Sequence, residues 1–243
     1  MRRAAGAVAL SLICATAATG QSAPTARFAE PTLRYDHGVL GDAVEWGALE
    51  IDYTGISGTA RHRVVIRLPL TRVFEDTAPR VTDLDGDGSP EVVVVESDLQ
   101  LGASLAIYDI GGLVARTPFI GQRHRWLAPA GIADLDGDGA PELAYIDRPH
   151  LVAELVILRF EPGQGGTAAQ LIEAARHPGL TNHRIGDRAI SGGIARCGTR
   201  PALVLASADW RRLMLATHDG QAIRVSDIGG FSPQAMEAAL DCR

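Results

Sequence analysis

Short apolar runs rich in Val, Ile, Leu and Ala recur along the chain, each closed by Gly, Asp or Pro. Such runs are too short for helices and predict strands. The lead-in Pro79–Thr82 is followed by Glu91–Glu96, built on the β-branched run Val92-Val93-Val94-Val95. Ser104–Asp109 and, past the turn at Gly111-Gly112, Leu113–Phe119 complete a four-strand unit. The order returns as Gly131–Ala133, Glu142–Ile146, Leu151–Phe160 and Ala169–Ala174, with a Gly-rich turn over Gly163–Gly166. A third, degenerate unit runs through Gly193–Ala195, Ala202–Ala206, Arg211–Thr217 and Ala222–Asp227. Upstream, Thr32–Val39, Trp46–Tyr53 and His62–Pro69 read as three strands of a unit whose first strand comes from residues around Phe28 or from the tail. Only Ser232–Leu240 changes period. It reads as a short helix with Ser232 at the N-cap and Pro233 at its first position.

Between the first and second strands of two units lie near-copies of one loop. Asp83-Leu84-Asp85-Gly86-Asp87-Gly88-Ser89-Pro90-Glu91 recurs as Asp134-Leu135-Asp136-Gly137-Asp138-Gly139-Ala140-Pro141-Glu142. Carboxylates at alternate positions, folded together by two glycines, repel one another and call for a hard cation. Calcium fits, since it takes oxygen ligands, and each loop offers four carboxylates and the main-chain carbonyl of Ser89 or Ala140. No Cys or His lies inside either loop, which argues against zinc within it. An EF-hand is also excluded: its twelfth position should be Glu and its flanks helical, whereas Val94 and Tyr145 stand there amid strands. In the third unit the loop has become Arg196-Cys197-Gly198-Thr199-Arg200-Pro201, with no carboxylate.

The segments Val81–Val94 and Ile132–Tyr145 resemble FG-GAP/VCBS-type repeats, the calcium-loop repeats of integrin-like β-propellers. The resemblance implies an all-β fold, a small β-propeller-like array of about four four-stranded antiparallel blades, with ring closure left open and a short C-terminal helix. It assigns side-chain ligands to Asp83, Asp85, Asp87 and Glu91, and to Asp134, Asp136, Asp138 and Glu142. Two structural Ca2+ ions are therefore expected. The family spans adhesion, carbohydrate-associated and enzymatic proteins, so the resemblance speaks to fold before function.

Composition places the chain in a compartment. Met1-Arg2-Arg3, the apolar run Ala4–Ala15 and small residues up to Gly20 have the three regions of a secretory signal peptide, with cleavage expected after Gly20. Residues 21–243 then form one domain, with units at about 32–73, 77–119, 128–175 and 189–228. No other apolar stretch is long enough to span a membrane. Export to the periplasm or beyond leaves Cys197 and Cys242 as a pair in an oxidising environment, where they are expected to form a disulfide that staples the third loop. The net charge of −6 argues against a nucleic-acid partner.

In a four-stranded blade the loops after the first and third strands share one face, so ligand chemistry is sought on the other. Acids stand just past the second strands at Asp36, Asp98, Asp147 and Asp209. Near them or in the links between blades are Arg123, His124, Arg125, Trp126, Arg148, His183, Arg184 and Trp210, with Tyr35, His37, Glu75, Asp76 and His150 close in sequence. If the array curves into a ring these groups converge on a mouth suited to a polar ligand, a glycan or an envelope or extracellular protein. The competing reading makes them salt bridges and strand-end caps at blade junctions. His124 or His183 beside Asp147 or Asp209 could also perform acid–base chemistry in a small hydrolase-like enzyme. No Gly-x-Ser-x-Gly elbow, P-loop or dinucleotide fingerprint accompanies them. His218, beside a turn, is expected to be solvated. The expected function is an exported, calcium-binding repeat module for binding or scaffolding, with oligomerisation open if the array is incomplete.

Overall fold

The computed structural model describes residues 24–54 and 60–243, so the segment read as a signal peptide lies outside the described residues. The described residues form strands and one short helix. The first unit contains β1 (Thr25–Thr32), β2 (Glu45–Thr54) and β3 (Arg61–Arg67). The second contains β4 (Arg72–Phe74), β5 (Arg80–Thr82), β6 (Glu91–Asp98), β7 (Gly102–Asp109) and β8 (Gly112–Arg116). β9 (Leu127–Ala133), β10 (Glu142–Asp147), β11 (Glu154–Glu161) and β12 (Gln170–Pro178) form the third. The fourth is β13 (Leu180–Thr181), β14 (Gly193–Ala195), β15 (Ala202–Ser207), β16 (Arg212–His218) and β17 (Ile223–Gly230), followed by α1 (Pro233–Leu240).

All strand pairs are antiparallel. In the second and fourth units the first strand is split, β4 and β5 both pairing with β6, and β13 and β14 both pairing with β15. In the third unit β9 is continuous but shifts register opposite Ala144 and Tyr145. The β7–β8, β11–β12 and β16–β17 pairs each carry a further register shift, which increases twist at equivalent places in the second and third blades and two residues earlier in the fourth. β4 pairs with β2 as well as β6, through Trp46 opposite Phe74, and so joins the first two units into one sheet. Among the described residues no sheet closes on itself, and the architecture is an incomplete propeller-like array.

The period of two along the central strands decides how the blades stack. Val92 and Val94 of β6 pack with Leu49, Ile51 and Phe74, while Val93 and Val95 point the other way into a core with Leu143, Tyr145 and Val156. Ala144 and Ile146 of β10 in turn meet Leu203 and Leu205 of β15. Continuous apolar runs arise here because each central strand is covered on both faces. Each fully buried Leu or Ile contributes about 1.5–3 kcal/mol.

The stack ends differently on its two sides. The outer face of β2 presents Glu50 and Asp52 in a lattice with Arg27 and Arg63, whose Nε lies 2.6 Å from Asp52 Oδ1. On the fourth blade Val204 and Leu213 would face solvent, but Met236, Ala235, Ala239 and Leu240 of α1 lie over them. Ser232 caps that helix by accepting from the Ala235 amide, and Pro233 opens its first turn. The Cys197–Cys242 disulfide, with its Cα atoms 5.3 Å apart, ties the residues after the helix to the shortened third loop.

One expected strand is absent. Thr32–Val39 overlaps β1 only at Thr32, and residues 33–44 form no strand, because the alternating Tyr35, His37 and Val39 belong to a loop folded into the molecule. Val39 joins the core between the second and third blades, and Gly38 turns the chain at φ +62°. The strand missing from the first unit is β1, which contains Phe28; the tail forms a helix and adds no strand.

Candidate functional site

Two faces of the array hold chemistry. On the first, the acidic loops repeat one hydrogen-bond network. Asp83 accepts from Gly86 N at 2.8 Å and Gly88 N at 3.0 Å, and Asp134 accepts from Gly137 N at 2.7 Å and Gly139 N at 3.1 Å. Asp85 accepts from Asp87 N and Asp87 from Ser89 N, mirrored by Asp136 with Asp138 N and Asp138 with Ala140 N. Glu91 and Glu142 each take a backbone N–H, from Leu84 and Leu135, at 2.8 Å. Gly86, Gly88, Gly137 and Gly139 hold φ between +75° and +97°, a region in which a side chain would be strained. Burial above all, and then neighbouring Asp carboxylates, push Glu91 and Glu142 above the usual carboxylate range, against the bonds from Leu84 and Leu135.

The surroundings of the two loops differ. Oxygens of Asp83, Asp85 and Glu91 lie within 4.8 Å of one another, and no Arg or His pairs with any acid of this loop among the described residues. In the second loop Asp134, Asp136 and Asp138 cluster within the same limit, but the Arg159 guanidinium contacts Asp136, Asp138 at 2.8 Å and Glu142 at 3.5 Å. Arg200 adds a bond of 2.7 Å to the Asp136 carbonyl. The carboxylates of the first loop thus repel without compensation, and its oxygen-only donor set fits a hard divalent ion. The second has a built-in counter-charge.

On the opposite face the expected groups divide. Asp36 is exposed and paired with Arg123 Nη2 at 2.7 Å and His124 Nε2 at 2.9 Å, both of which hold its carboxyl below the usual range. Arg125 donates to the His124 carbonyl at 3.0 Å. His124 stacks on His37, whose Nδ1 lies 2.6 Å from the wholly buried Glu75. The Tyr35 hydroxyl accepts from His124 N, and burial pushes the phenol strongly upward. Trp126 is buried and donates through Nε1 to the Glu75 carbonyl at 2.8 Å. It packs edge-on against His183, which is also buried.

His183 Nε2 lies 2.9 Å from the Asp187 carbonyl, to which it must donate, so its Nδ1 accepts from His150 Nε2 at 3.0 Å. Burial lowers both imidazoles, His150 to about 4 with the help of His183 and His37. His37, His124, Arg125, Trp126, Arg148 and His150 line a cavity of about 30 Å³, roughly one water's share of liquid volume. Glu45 lies beneath the same face, buried and with one oxygen lacking a partner. Burial, and then Glu75, Asp42 and Asp76, push it up to about 9.

The remaining groups are held elsewhere. Asp98 accepts from the Gln100 and Leu101 amides, Asp147 is gripped by Arg148 and Arg176, and Asp209 by Ser207. Arg184 lies over the Trp210 ring, 4.1 Å from its centroid, in a separate aromatic group with Phe231. His124 therefore pairs with Asp36, not with Asp147 or Asp209, and both nitrogens of His183 are engaged structurally. Asp36, Asp98, Asp147 and Asp209 thus share no hydrogen-bond partner with one another. His218 is 3% exposed, contrary to expectation, because it sits at the end of β16 against the second acidic loop. Glu45 and His218 carried no sequence signal: neither belongs to a motif, and each acquires its neighbours only by blade packing.

No helix of the described residues is long and apolar enough to cross a membrane. No curated protein matches the chain. Residues 83–145, the span that holds both acidic loops and β6 to β9 between them, match the family model of the FG-GAP-like repeat. The sequence of the loops, their matching hydrogen-bond networks and the blade architecture agree with that match, and the chain contains an FG-GAP-like repeat over residues 83–145.

Proposed function

We propose that the protein is an exported, calcium-stabilised binding or scaffold module. The observation that carries the metal reading is the first loop, where Asp83, Asp85 and Glu91 converge with no cationic partner among the described residues. Asp83, Asp85, Asp87 and Glu91 would hold the ion, which supplies the positive charge that this cluster lacks. The disulfide is compatible with an oxidising compartment.

Binding is assigned to the opposite face, at the exposed Asp36 and Arg123 and the half-buried His124 beside Arg125. These groups offer donors and an acceptor to a polar ligand, a glycan or a segment of an envelope or extracellular protein. The buried Trp126, His183 and Glu75 and the half-buried His150 support them from below.

The test is a thermal melt of the full chain with calcium and with chelator. An ion present at about a hundred times its dissociation constant contributes roughly 2.7 kcal/mol, so chelation should lower the midpoint by roughly 5–10 °C. Asp85→Ala should remove most of that response. Equal midpoints with and without chelator would overturn the metal reading.

A further inference from the structure

The second loop has a neighbour that the first does not. His218, the last residue of β16, is buried, and neither of its ring nitrogens has a hydrogen-bond partner. A buried imidazole normally satisfies at least one nitrogen. Ligand atoms of His218, Asp136 and Glu142 lie within 4.8 Å of one another. The Glu142 oxygen not bonded to Leu135 is buried without a hydrogen-bond partner, its nearest charge being Arg159 at 3.5 Å. The following turn is fitted closely to the cluster: a Cβ on Gly220 would stand 3.2 Å from Asp136 Oδ2.

At the first loop the equivalent position differs. Leu203 pairs with Ala216 in the fourth blade as Leu143 pairs with Leu158 in the third, so the register equivalent of His218 is Phe160. Phe160 packs against the core that contains Leu84 of the first loop. One loop therefore meets a phenyl ring from the next blade, and the other an imidazole.

Resting on the reading that the loops bind divalent cations, we propose that Asp136, Glu142 and His218 form a mixed oxygen–nitrogen site that takes a borderline transition ion and joins the third blade to the fourth. Imidazole suits ions such as Zn2+, whereas an oxygen-only set suits Ca2+. Arg159 guards the site. Its guanidinium neutralises the carboxylates, and its side chain is 40% exposed, so it has a route outward when an ion enters. A cavity of about 850 Å³ beside α1 reaches His218 and Leu135 from the outside.

The experiment uses the full chain titrated with Mn2+ and Zn2+. Pulsed electron paramagnetic resonance of the Mn2+-loaded protein should show 14N coupling from a bound imidazole. The signal should persist in Asp85→Ala, which keeps His218, and disappear in His218→Gln. His218→Gln should also weaken Zn2+ binding at least tenfold while leaving Ca2+ binding at the first loop unchanged. Bound Mn2+ without 14N coupling in both wild type and Asp85→Ala would overturn this proposal and leave the calcium reading standing. No binding of Mn2+, Zn2+ or Ca2+ by the wild-type chain would overturn both.

Discussion

Glu45 opens β2 with its carboxyl buried beside Glu75, Asp42 and Asp76, and one of its oxygens is unpartnered. Such a group is tolerated as the neutral acid and costs free energy as the anion. Since burial and these neighbours raise it from 4.5 to about 9, its contribution is fully present below the unfolded-state value and is lost as pH rises towards 9. Denaturation of the wild type should therefore show stability draining away over that interval. Glu45→Gln mimics the neutral acid, so the variant should be about 1–3 kcal/mol more stable than the wild type at pH 9 and similar to it near pH 4.5. Parallel profiles for the two proteins would contradict this account. The contrast with the loop acids shows what single residues reveal. Asp83 to Glu91 declare their chemistry because the cluster is contiguous in sequence, whereas Glu45 becomes unusual only when folding buries it and brings up Glu75, thirty residues away in the chain and on another blade.

Among the elements, the strands with strong apolar alternation or β-branched runs were legible to within a few residues, β6, β10 and β15 among them, and β14 was legible only as a copy of Gly131–Ala133. α1 was readable from its cap, because Ser-Pro followed by good helix formers states a helix start locally. β4 and β13 were not, being three and two residues long and separated from β5 and β14 by segments that double back into the opposite face. A strand that short has no period to detect. Residues 33–44 misled in the opposite way, since the alternation of Tyr35, His37 and Val39 reflects burial in a loop. The third acidic loop is degraded, and the Cys197–Cys242 bridge takes over by fastening it to the end of α1. Cys197→Ala with Cys242→Ala should cost about 2–4 kcal/mol in denaturant unfolding, more than a change in surface polarity would. Hydrogen exchange should rise first in α1 and the 196–201 loop, with the second and third blades still protected.

At the scale of the molecule, four blades lie side by side in chain order, with a separate apolar layer at each junction. The layers follow from the two-sided apolar character of β6, β10 and β15, and this much of the architecture could be read from sequence. The geometry of closure could not, because it depends on how the first and last blades finish. The first finishes in an Arg–Asp–Glu lattice and the last under an amphipathic helix. An open array of this kind needs polar ends, as repeat proteins do generally.

The helix is then a stopper on a surface otherwise made to receive another blade. A chain truncated after Phe231 would bare Val204, Leu213 and Leu215 on the fourth blade, while the first blade still ends in its charged lattice. Sedimentation of that truncation should show a concentration-dependent dimer that joins two bared faces, because the charged lattice of the first blade gives an apolar face nothing to pack against and a contact between like faces closes. Twelve residues at the end of the chain would thus separate a molecule that stays single from one that pairs with its own copy.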